Sequence, residues 1–133
     1  MSLDTIRLSQ PAKDQLIKLK RVTGIKNWNI LCRWGLTVSL ADRTVPLVQD
    51  LVMDSNIEMS WRTFAGQYSE LYRALLVQRC QWDNLPTTDE QLAHTLSIHV
   101  HRGIGYLAAQ RELSSVASLI RYAIERTSNS LPV

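Results

Sequence analysis

The sequence predicts a mainly α-helical domain of about five helices, and three observations carry that expectation. Apolar residues recur at helical spacing through most of the chain, capping residues stand where those runs begin, and only a short N-terminal stretch alternates polar with apolar. The chain has 133 residues, 45% hydrophobic and 20% charged, a globular balance sufficient for one core. Five Gly and four Pro are too few for a linker or a collagen-like repeat. No apolar run approaches the roughly 18–20 residues that cross a bilayer. The first ten residues lack a basic stretch followed by an apolar core, so no signal peptide is expected and the expected location is cytoplasmic. Cys32 and Cys80 are too few for a disulfide framework and too far apart for a metal knuckle, so both read as small buried hydrophobes.

Residues 5–9, Thr-Ile-Arg-Leu-Ser, alternate and suit a short strand with Ile6 and Leu8 on one face. Ser9 or Gln10 then precedes a helix over 11–22, with Pro11 in its first turn and Gly24 as a left-handed C-terminal cap. A second helix is expected over 27–41, with Asn27 as N-cap. Residues 42–57 contain Pro46 and no sustained period; they read as a loop with a short extended piece at 47–52. A long helix over 60–81 follows, capped by Ser60, with Trp61, Phe64, Tyr68, Leu71, Leu75 and Leu76 as its apolar stripe. Asp83-Asn84-Leu85-Pro86 breaks it. Thr87 and Glu90 form a capping box for a helix running to about 102 and stopping near Gly103 and Gly105. The last helix, 113–126, carries Val116, Leu119, Ile120 and Ala123, and a frayed tail follows at 127–133. A single domain is therefore expected, with a basic part at 1–43 and a helical core and oligomerisation part at 44–126.

Charge is distributed unevenly. Residues 1–43 hold eight basic and three acidic side chains, whereas 44–133 hold seven arginines and nine acids. All the lysines (13, 18, 20 and 26) fall in the first part. Such an asymmetry fits a polyanionic partner, and equally a solvated lysine-rich helix face. Strand, helix, glycine turn, helix is also the layout of ribbon-helix-helix DNA binders. That layout would put Thr5, Arg7 and Ser9 toward a major groove and the start of the second helix, near Lys26-Asn27-Trp28, against a phosphate. A plain helical hairpin leaves the same trace.

Little else suggests chemistry. His94, His99 and His101 are badly spaced for one metal ion, since positions 99 and 101 of a helix point about 200° apart. Gly103-Ile104-Gly105 is too short for a phosphate loop. No nucleophile has an evident base, so no catalytic residue, metal or cofactor is expected. Trp28, beside Lys26, is a candidate to stack on an unpaired base.

Residues 6–41, with Leu-Lys-Arg-Val-Thr-Gly-Ile-Lys-Asn-Trp-Asn-Ile-Leu-Cys-Arg-Trp, together with Asp54-Ser-Asn-Ile-Glu-Met-Ser-Trp61 and His99-Val-His-Arg-Gly-Ile-Gly-Tyr-Leu107, resemble the DndE family of DNA sulfur modification proteins. The resemblance implies a helical subunit that assembles as a tetramer and binds DNA, with a preference for nicked duplex. It implies three working partners: a cysteine desulfurase, an iron–sulfur protein of the sulfurtransferase type, and an ATPase. It also implies that the turn at Gly24 serves assembly. The expected function is non-catalytic DNA binding through Arg7, Lys13, Lys18, Lys20, Arg21, Lys26 and Arg33, with Lys13, Lys20 and Arg21 sharing a side of the first helix. The alternatives are an adaptor for the sulfurtransferase or ATPase, and a DNA-nicking enzyme.

Overall fold

A computed structural model of the chain describes residues 3–47 and 51–130, the last four without their side chains. The elements run β1 (Thr5–Arg7), α1 (Gln10–Thr23), α2 (Trp28–Ala41), β2 (Glu58–Ser60), α3 (Trp61–Ala65), a 3₁₀ turn (Gly66–Tyr68), α4 (Ser69–Trp82), α5 (Asp89–Ala108) and α6 (Val116–Ser130). Helices dominate, as the periodicity predicts.

The expected N-terminal strand forms, but its partner is β2 of the same chain. The two pair antiparallel, Thr5 opposite Ser60, Ile6 opposite Met59 and Arg7 opposite Glu58. Ile6 and Met59 therefore meet on the buried face. Backbone bonds continue the zipper in both directions, from Leu8 N–H to the Ile57 carbonyl and from Trp61 N–H to that of Asp4. On the outer face Arg7 is tied to Glu58 at 2.6 Å. Ser9 is buried: its Oγ accepts Ala12 N–H, and its own N–H donates to His101 Nε2. Thus the strand is committed inside the chain, with Arg7 and Ser9 engaged there and Thr5 exposed.

α1 begins and ends where the sequence expects, with Ser9 at its N-cap and Gly24 in the left-handed conformation at φ 79°. Leu16 and Leu19 fill its buried face. α2 is the central element and packs along α5, which at 20 residues spans about 30 Å. Leu31, Cys32, Leu36 and Val38 of α2 meet Leu96, Val100, Ile104 and Leu107 of α5 in one core.

Four expectations about boundaries are corrected. The helix expected over 60–81 is broken at Gly66, whose φ of 58° and the following 3₁₀ turn separate α3 from α4. That break turns Tyr68 and Leu71 outward, while Phe64 and Leu76 stay buried. The box at the start of α5 is shifted by one residue: Thr88 is the N-cap and accepts Gln91 N–H. Gly103 and Gly105 lie inside α5, which runs to Ala108. Finally, α6 starts at Val116 and reaches Ser130; it buries Leu119, whereas Val116 and Ile120 face outward. Of the extended piece expected at 47–52, residues 48–50 lie outside the described residues, as do 131–133 of the tail. Among the described residues no helix is long and apolar enough to cross a membrane.

Candidate nucleic-acid interface

The α1–α2 turn brings cations together. Thr23 Oγ1 donates to the Leu19 carbonyl and accepts Ile25 N–H, and Gly24 N–H donates to the Lys20 carbonyl. The chain thereby reverses over residues 24–27 and sets Lys26 and the start of α2 beside the last turn of α1. Lys13 and Lys20, seven residues apart, share one face of α1. Together, Lys13, Lys20 and Lys26 line an open recess of about 540 Å³ with Asn27, the N-cap of α2, with Trp28 and Asn29 of α2, and with residues 56–59 and Thr63 around β2.

Two of the ammonium groups are held in place. Lys13 Nζ donates to Asn56 Oδ1 at 2.6 Å, and Lys20 Nζ sits 3.3 Å from the centre of the Trp28 ring. Asn27 occupies the N-cap of α2, but its side chain makes no capping bond. The first turn of α2 therefore keeps its orphan N–H groups and the positive end of its dipole beside the lysines. Glu58 is the acidic residue of the lining, and its charge is met by Arg7.

The remaining expected contacts are placed elsewhere. Lys18 points to the other side of α1, where its Nζ donates to the Ala108 carbonyl at the end of α5. Arg21 is exposed on the last turn of α1. Arg33 lies one turn beyond Asn29 on α2, half-buried beside Gly66. Trp28 has Lys20 over its ring and packs partly against the core, so a base does not have that face to stack on. Sequence reading missed Asn56 and Thr63, because their place in the pocket depends on β2 pairing with a strand some fifty residues earlier.

His99 and His101 are internal hydrogen-bonding groups, whereas His94 is exposed on α5. His101 Nδ1 lies 2.7 Å from the Ser97 carbonyl and Nε2 accepts Ser9 N–H, which fixes the neutral Nδ1–H form. His99 Nδ1 lies 2.7 Å from Ser39 Oγ, which also accepts Arg102 Nε–H. Burial, then the positive charges of Arg79 and Arg102, push His99 down to about 3. Burial also lowers His101, partly offset by its bond to Ser97. Asp42 closes the same cluster. Burial alone would raise it, yet bonds from the Thr44 N–H and hydroxyl and from Tyr106, with the Arg102 charge, bring it down to about 2. Among the described residues no three His, Cys, Asp or Glu side chains are grouped to hold a metal ion. Both cysteines are buried, and burial pushes the Cys32 thiol up to about 12.

These shifts set a pH dependence. His99 and His101 each have a folded pKa below the unfolded value near 6.5, so the unfolded chain binds more protons between the two. Stability is fully present above about pH 6.5 and is lost as pH falls toward 3, by about 1.4 kcal/mol per pH unit for His99 alone. Asp42 adds to the loss below about pH 4, in the same direction. Urea unfolding at pH 7, 6 and 5 is expected to show that decline and His99→Gln to flatten it. Equal stability at pH 7 and 5 would contradict this account.

A family model described as DNA sulphur modification protein DndE matches residues 5–115. The chain belongs to the DndE family. Its fold is similar to that of the crystal structure of DndE from Escherichia coli B7A, described as involved in DNA phosphorothioation modification. The two are 25% identical, with a TM-score of 0.63, over 80% of this chain and 99% of that one. A glycine-to-lysine mutant of DndE is 19% identical, with a TM-score of 0.59, over 77% of this chain and 96% of that one, and shows the shared fold. A comparison with curated proteins gives no match. The lysine pocket lies wholly within the DndE-matched residues, whereas α6 begins directly after them.

Proposed function

We propose that this DndE-family chain is a non-catalytic DNA-binding subunit of the DNA phosphorothioation machinery, which holds duplex DNA and prefers nicked duplex. The observation that carries the reading is the convergence of Lys13, Lys20 and Lys26 with the uncapped start of α2 in one pocket. Ammonium groups and free backbone N–H groups are the donors that phosphates recruit. Arg21, exposed on the last turn of α1, and Arg33, one turn beyond Asn29, stand outside that pocket as further cations for the phosphate backbone. A nick lowers the cost of bending, so a positive surface gains contacts that stiff duplex denies it. Family membership supports the wider context: a cytoplasmic homo-oligomer, a tetramer, working with a cysteine desulfurase, an iron–sulfur sulfurtransferase-type protein and an ATPase. Gly24 suits a role in assembly, since an added Cβ there would meet nothing within 4 Å and the turn faces outward.

The test is a salt titration of binding to intact, nicked and single-stranded DNA of equal length. Wild type is expected to favour the nicked duplex, with a steep salt dependence. Changing Lys13, Lys20 and Lys26 together to Glu is expected to cost about a hundredfold or more in affinity and to flatten the salt slope by about three contacts per engaged subunit. Binding that ignores both the nick and the triple change would favour the adaptor role instead.

A further inference from the structure

The shape of the lysine pocket asks for more than a passing backbone. A duplex is a rod that lies along a surface, whereas this site is a recess of about 540 Å³, open to solvent on its outer side, on which three ammonium groups converge. A strand end can dip into such a recess and present one phosphate to all three cations, whereas phosphates within a stiff duplex stay spaced along the rod. The geometry points to a receptor for a phosphomonoester at a strand terminus, seated among Lys13, Lys20 and Lys26. This inference rests on the DNA-binding reading above and deepens it.

Charge and donor supply both favour the monoester over the diester. A terminal phosphate carries about −1.5 to −2 charges at neutral pH and offers three free oxygens, against one charge and two such oxygens for a diester within the chain. The pocket matches the larger demand. It gathers three ammonium groups, and its acidic member, Glu58, is already engaged by Arg7 at 2.6 Å. Two of the ammonium groups are positioned before any ligand arrives, Lys13 by Asn56 and Lys20 over the Trp28 ring, so less side-chain freedom is lost on binding. The Trp28 ring then serves as a platform for the cation.

The experiment compares fluorescence anisotropy of the full chain on four duplexes of one sequence: intact, nicked with two hydroxyl ends, nicked with a 5′-phosphate, and nicked with a 3′-phosphate. One phosphorylated nick is expected to bind about tenfold tighter than the hydroxyl nick, and which one identifies the strand end that is seated. That advantage is expected to shrink below about pH 6, where the monoester loses its second charge. Asn56→Ala, which frees Lys13 without removing a charge, is expected to reduce the ratio of phosphorylated-nick to hydroxyl-nick affinity. Equal affinity for all three nicks overturns the terminal-phosphate site and leaves DNA binding standing. Failure to bind any of the four duplexes overturns both.

Discussion

Gly103→Ala is expected to destabilise the fold by about 3 kcal/mol or more, whereas Gly105→Ala, two residues later in the same helix, is expected to stabilise it. A Cβ at Gly103 would fall on the Gly35 backbone, with its carbonyl oxygen, carbonyl carbon and Cα all inside contact range. No rotamer relieves that clash, because both partners are main chain, so α5 must back away from α2 and open the central core interface. Gly35 is the reciprocal half of the crossing: a Cβ there would press on Ile104 Cγ1 and N at 3.1 Å and on the Val100 carbonyl at 3.3 Å. Gly105 faces a different way. Nothing lies within 4 Å of the Cβ it lacks, so alanine would only remove backbone freedom from a helix interior, a gain of about 0.5–1 kcal/mol. Urea midpoints of the two variants decide the matter. Equal shifts, or a mild cost at Gly103, would show that the α2–α5 crossing is looser than described.

The same two glycines show where sequence reading reaches its limit. In sequence they resemble a helix stop, and the stop signal is a local property. The actual work of Gly103 is a close approach to Gly35, on a helix some sixty residues earlier, which no local pattern encodes, while Gly105 simply lies within the helix. The ends of α1, by contrast, were legible, because Ser9 and Gly24 act on backbone groups within four residues of themselves. Thr87–Glu90 and Thr88–Gln91 both satisfy the capping pattern, and only the three-dimensional entry of the chain selects the second. β2 has three residues and exists because Ile6 and Leu8 need a cover, so its signal lies in another part of the chain. The candidate site divides in the same way. The lysines announce themselves by charge. That Lys13, Lys20 and Lys26 meet while Lys18 turns to the end of α5 follows from helix phase and the Gly24 turn. Arg7 read as a free cation, and the strand that neutralises it was the one the sequence concealed.

Arg79 carries the second large effect. It is 3% exposed, and its guanidinium spends every nitrogen: Nε on Asp83, Nη1 on the carbonyls of Leu40 and Asp42, and Nη2 on that of Thr44. Those carbonyls belong to the end of α2 and the residues just after it, where a helix runs out of its own donors. Arg102 supports the same stretch from α5, reaching the carbonyls of Ser39, Asp42 and Thr44. Arg79→Met keeps much of the bulk but leaves the Leu40 carbonyl without that donor and Asp83, only 10% exposed, without its counter-ion. The expected cost is about 3–5 kcal/mol. Arg79→Lys is expected to recover little of it, since one ammonium cannot span three carbonyls and a carboxylate as a planar fork does. Asp83→Asn is expected to be milder, about 1 kcal/mol, because the three carbonyl bonds remain. The lysine pocket sits at the opposite end of α2, about 20 Å away along a 14-residue helix. Arg79→Met should therefore lose its unfolding midpoint yet, in the cold where it stays folded, keep wild-type affinity for nicked duplex. A folded variant with weakened DNA binding would show instead that the two ends of α2 are coupled.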